Sequence, residues 1–147
     1  MSELRTLFDL IGVLARKRYQ TADRLFPPWG LNHTEARLLT LLNAEANAVS
    51  QDVLSQKVYV DRSNVGRALD RLARENYLVK RKDPSDKRAN LVLITDKGRT
   101  TAQEIRRLGD EMATTFFGDL TEDEAGQIVR MLRQSETKGD PIHDENL

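Results

Sequence analysis

Cysteine is absent from this 147-residue chain, which excludes disulfide cross-links, thiolate catalysis and thiol-based redox sensing together. Histidine occurs at only two positions, His33 and His143, too thin a set for a zinc site. No metal or cofactor is therefore expected. Glycine-rich phosphate loops are missing, and no Ser or Thr stands in a recognisable base and oxyanion setting, so an enzyme is not expected. The acidic pair Asp119 and Glu122 falls at a helix junction, where capping accounts for it. Long hydrophobic runs are lacking too. The longest uncharged apolar stretch, Leu10 to Ala15, is far too short to span a bilayer, and Glu3 and Asp9 interrupt what a signal peptide would keep apolar. These absences lead to the expectation of a cytoplasmic protein with no membrane partner.

Net charge is the last thing missing, since 23 basic residues balance 23 acidic ones. The balance hides a segregation. Residues 61–88 hold nine Lys or Arg against five Asp or Glu, whereas residues 89–147 hold seven against twelve. A basic middle between milder ends is the electrostatic footprint that attracts a polyanion. The length suits about one domain with a core that needs no metal or disulfide.

Apolar periodicity supplies the elements. Leu4, Leu7, Phe8, Ile11, Leu14, Ala15, Tyr19, Ala22, Leu25 and Phe26 recur at spacings of three and four, an amphipathic helix that Pro27-Pro28-Trp29-Gly30 must stop. Asn32 with Glu35 resembles a capping box opening a second helix through Ala36, Leu38, Leu39, Leu41 and Leu42. Ser50 is a cap for a short third helix. A fourth runs from about Arg62 to Glu75 with Asp61 as its cap. Its apolar side is Val65, Ala68, Leu69, Leu72 and Ala73, while Ser63, Asn64, Arg67, Asp70, Arg71 and Arg74 lie opposite. Asn76 suits the left-handed residue that ends many helices. Tyr77 to Lys82 and Asn90 to Ile94 read as strands joined by a seven-residue link, Asp83 to Ala89. Thr95 caps a long helix that ends near Gly118, and Thr121 with Glu124 opens a last one. Residues 139–147 read as a flexible tail.

A short helix, a turn and an amphipathic helix make a helix-turn-helix, in which the second helix enters the major groove and reads bases with its first turns. Ser63, Asn64 and Arg67 are then the base-facing candidates, because Arg can grip guanine and Asn can grip adenine with paired hydrogen bonds. Arg71 and Arg74, further along, suit phosphates. The same row would also fit a solvated helix face, and the hairpin separates the two readings. Its tip, Ser85-Asp86-Lys87-Arg88, is too polar for a core and offers Lys87 and Arg88 to the minor groove. Asp83 or Asp86 is expected to pair with Arg88 and hold its guanidinium extended.

The run DPSDKRANLVLITDKG, residues 83–98, closely resembles the wing signature of the MarR family of transcriptional regulators. The helix order and the recognition-helix pattern RSNVGRALDRL extend the resemblance over nearly the whole chain. It implies a mainly α fold with a small β-hairpin wing, a winged helix-turn-helix with flanking dimerisation helices. Residues 32–95 would form the DNA-binding lobe, and residues 1–31 and 96–138 the helical dimerisation region. The implied function is a sequence-specific double-stranded DNA-binding regulator, a ligand-responsive repressor that binds a pseudo-palindromic operator as a homodimer. The long apolar stripes of the first and last helices agree, since so small a lobe cannot cover them. The resemblance also implies a small aromatic or phenolic effector, for which Tyr19, Trp29 and His33 are the candidate lining. Oxidant-sensing members that use cysteine are no guide to this chain. The alternative is a winged-helix protein-interaction module that binds no DNA, against which the outward arginines weigh.

Overall fold

A computed structural model of the chain describes residues 2–25, 27–58 and 62–135. Phe26, the expected cap Asp61, His143 and the expected tail lie outside the described residues. Helix α1, Glu3–Leu25, is followed by a 3-10 turn, Pro27–Trp29. Helix α2, His33–Asn43, begins where the Asn32 side chain accepts the amide of Glu35 at 2.9 Å. A two-residue strand β1, Val49–Ser50, leads into α3, Gln51–Val58, whose amide at Val53 donates to Ser50 Oγ at 3.2 Å. Helix α4, Arg62–Arg74, then lays Val65, Leu69 and Leu72 fully into the core, the face that its apolar spacing selects.

Asn76 closes α4 in the left-handed region with φ at 64°. Strands β2, Leu78–Asp83, and β3, Asp86–Ile94, form an antiparallel hairpin, and β1 pairs with the far edge of β3. β1 adds to the two strands expected, because two residues are too few to show any alternation. The hairpin also differs from expectation at its tip. The seven-residue link shrinks to Pro84-Ser85, since Asp83 Oδ1 accepts the Ser85 amide at 2.9 Å and its hydroxyl at 2.7 Å, and Asp86 Oδ1 accepts the Arg88 amide at 3.0 Å. The carboxylates satisfy donors the turn would otherwise leave to water, and the ladder runs on to Asp83 opposite Asp86.

Helix α5, Asp96–Phe117, is capped by Thr95, whose Oγ1 accepts the Gly98 amide at 3.1 Å. Helix α6, Glu122–Ser135, opens on a reciprocal box in which Glu124 accepts from the Thr121 amide at 3.0 Å and Thr121 accepts from the Glu124 amide at 3.1 Å. The core gathers α2, α3, α4 and the sheet against the first turns of α5. Outside it, α1 and α6 leave Leu4, Phe8 and Met131 between 65% and 80% exposed. No helix among the described residues is long and apolar enough to cross a membrane.

Candidate nucleic-acid interface

Helix α4 is backed by core on one side and presents Ser63, Asn64, Arg67 and Arg74 exposed on the other. Arg67 Nη2 donates to Asn64 Oδ1 one turn earlier, so the two polar groups that could read base edges are already joined. Arg71 departs from the expectation. Its Nη1 lies 2.8 and 3.0 Å from the two carboxylate oxygens of Glu35, and its Nη2 donates to the carbonyl of Gly30. Glu35 is buried, with 2% of its side chain exposed, so a desolvated carboxylate claims the guanidinium that was expected on phosphates. The preceding residue, Asp70, accepts from Lys80 Nζ of β2 at 2.6 Å.

The wing register sorts its cations. Lys80 stands opposite Val92 and Lys82 opposite Asn90, and Val92 is fully buried. Directly paired residues share a face, so Lys80 and Lys82 lie with Val92 and Asn90 on the sheet face that continues from the core; beyond Asn90 the register slips, and Lys87 and Arg88 fall in the irregular stretch before Asp86 pairs with Asp83. Both Lys87 and Arg88 are exposed. Lys82 was not among the expected contacts, although its two-residue spacing from Lys80 and Leu78 could have identified it. Asp83 and Asp86 hold the tip through backbone and hydroxyl donors, and Asp86 reaches Arg88 at its amide in place of the expected guanidinium pair. The Ser85 hydroxyl and amide hold the Asp83 carboxyl below its usual range.

A cavity of about 610 Å³ opens between α1, α2 and α5. Of the expected lining residues only His33 borders it. Tyr19 lies against the His33 ring at 5.1 Å between centroids and is itself exposed, while Trp29 packs on the core. The unanticipated lining holds three arginines, Arg18, Arg37 and Arg106, against one carboxylate, Asp110, together with apolar Leu41, Ile105 and Phe116. Burial first, then the neighbouring Arg18 guanidinium, lowers the Arg37 pKa from its ordinary value. Each arginine has small residues at helical spacing beside it, Ala22 after Arg18, Thr40 and Ala44 after Arg37, Gly109 and Ala113 after Arg106. That local pattern leaves room beside each arginine, but the hollow itself depends on how the three helices meet.

A core-backed helix with outward cations, followed by a hairpin carrying basic residues on the adjoining face, defines a winged helix-turn-helix protein. The MarR family model matches residues 29–89. An uncharacterized HTH-type transcriptional regulator of Bacillus subtilis, YkoM, is 30% identical over 118 residues, which are 80% of this chain and 73% of that protein. A MarR transcriptional regulator from Methanosarcina mazei superposes with a TM-score of 0.81 at 21% identity, over 89% of this chain and 94% of that one. A mutant MarR from Escherichia coli complexed with operator DNA gives 0.78 at 22% identity, over 90% and 95%. The chain belongs to the MarR family, which comprises transcription regulators and not enzymes.

Proposed function

We propose that this regulator binds a pseudo-palindromic operator as a homodimer, represses transcription there, and lets go when a small organic anion occupies the cavity. The observation that carries the reading is the exposed cationic row of α4, Arg67 and Arg74, tied through the Asp70–Lys80 pair to a wing on which Lys82, Lys87 and Arg88 are exposed. In this scheme Ser63, Asn64 and Arg67 meet base edges in the major groove, Arg74 and Lys82 meet phosphates, and Arg88 with Lys87 reaches the minor groove. The operator DNA bound by the Escherichia coli relative supports the same use of the fold.

Residues 32–95 serve as the DNA-binding lobe, and residues 1–31 and 96–138 as the dimerisation region. Support comes from the exposed apolar side chains of α1 and α6, which a second copy would remove from water. The effector is a small aromatic or phenolic anion, because Arg18, Arg37 and Arg106 outnumber the single carboxylate of Asp110 while Leu41, Ile105 and Phe116 offer apolar surface. Selection of bound duplexes from a random pool tests the reading. An enriched inverted repeat with half-site centres about 34 Å apart is expected for a two-fold binder. Failure to enrich any duplex would favour the protein-interaction module instead.

A further inference from the structure

Glu35 lies buried at the start of α2 and meets the outward row of α4 at Arg71. Its carboxylate takes both Nη1 contacts of Arg71 and, at 2.8 Å, the side-chain amide of Asn32. The other arm of the same guanidinium donates to the Gly30 carbonyl. Gly30 has φ at +64°, a conformation open to glycine that turns the chain between α1 and α2 beside the guanidinium. One planar fork therefore bridges two separate segments, the Gly30 bend and the first turn of α2, to the third turn of the recognition helix. We infer that Glu35, acting through Arg71, is a positioning residue that fixes the rotation of α4 and so determines discrimination between operator and random DNA, a role that rests on the proposed DNA-binding function.

Val65, Leu69 and Leu72 bury fully between Ala68 and Ala73, whose small side chains at the two borders of the stripe give the core little leverage against rotation of α4 about its axis. An ion pair at the border of that stripe resists rotation. A turn of about 10° would carry a side-chain tip, roughly 6 Å from the axis, by about 1 Å. That displacement spoils the distance and angle of a base-edge hydrogen bond, whereas a phosphate contact through a long side chain can follow it. In a two-fold dimer the same error enters both half-sites. The tie therefore bears on specific binding more than on general affinity. Asp70, next in sequence, carries the second tie, to Lys80 of the wing, but its side chain is 61% exposed and the pair is worth little.

The test compares wild type with Glu35→Gln and Arg71→Lys on two duplexes at one salt concentration: the sequence enriched by selection and a scrambled version of it. Glu35→Gln keeps the shape and loses the charge; Arg71→Lys keeps the charge and loses the fork that spans Glu35 and Gly30. Each variant is expected to lose about tenfold or more on the selected duplex and to stay within about twofold on the scrambled one, which narrows the gap between specific and random binding. Equal loss on both duplexes, or no loss on either, overturns the inference. If Glu35→Gln does not fold, Arg71→Lys decides by the same ratio. A wild-type protein that selects no sequence removes the DNA-binding reading before the variants are made, and this inference falls with it.

Discussion

Gly98 lies so close to Tyr77 that a Cβ built on it would stand 2.1 Å from the Tyr77 carbonyl oxygen and 2.7 Å from Ile94 Cγ1. The same carbonyl accepts the Thr95 amide at 3.1 Å and the Thr95 hydroxyl at 3.0 Å. Lys97 lies over the Tyr77 ring at 4.3 Å and donates to the Glu75 carbonyl at 2.6 Å. The end of the recognition helix, the start of the wing and the start of α5 are thus one junction closed around a missing side chain.

Gly98→Ala should therefore destabilise the fold by about 2–4 kcal/mol, because backbone and not a movable side chain meets the new methyl. Urea unfolding at one fixed protein concentration measures it. A change within about 0.5 kcal/mol of wild type would mean that α5 moves away without cost.

Arg67→Ala should weaken binding to the selected duplex by about 1–3 kcal/mol and relax preference at one base pair. Arg74→Ala should weaken all duplexes alike and reduce the salt slope by about 0.9, the share of one neutralised phosphate. Binding assays over a set of single-base operator variants distinguish the two patterns. The reverse assignment would exchange the roles of these arginines.

Local signals made much of the fold legible in the sequence. The α4 stripe, the caps at Asn32, Ser50, Thr95 and Thr121, and the left-handed Asn76 each depend on residues within a turn of one another, and each stands as expected. What was hidden depends on distant partners. Arg71 meets a carboxylate 36 positions earlier, so helical spacing placed it on the outer row and could not show what claims it. The cavity lies between three helices whose relative placement no single stripe encodes, which is why aromatic residues near the first helix break stood in for the arginines that line it.

The Asp83 carboxyl, lowered by its bonds from Ser85, makes the wing tip sensitive to acid. A group with a depressed folded-state pKa contributes above its unfolded value, and the contribution is lost as pH falls through the folded one. Ser85 amide protection, the exchange rate by NMR relative to the unstructured rate at the same pH, should hold at neutral pH and fall only below the ordinary carboxylate range. Asp83→Ala should show no protection at any pH. Protection retained in that variant would mean that Pro84 alone shapes the turn.

Phe8 is 74% exposed on α1 within the single chain. Phe8→Asp should convert a dimer to a monomer in light scattering and leave the far-ultraviolet circular dichroism unchanged, since the lobe does not use this side chain. A variant that still dimerises would place the second copy elsewhere.

The salt dependence of duplex binding tests most directly the claim that the outer face of α4 and the wing together grip DNA. Wild-type affinity should fall linearly on logarithmic axes as salt rises, and Arg88→Ala combined with Lys82→Ala should flatten that slope by about 0.9 for each phosphate no longer neutralised. A slope indifferent to both substitutions, or duplex binding that does not respond to salt at all, would contradict the account.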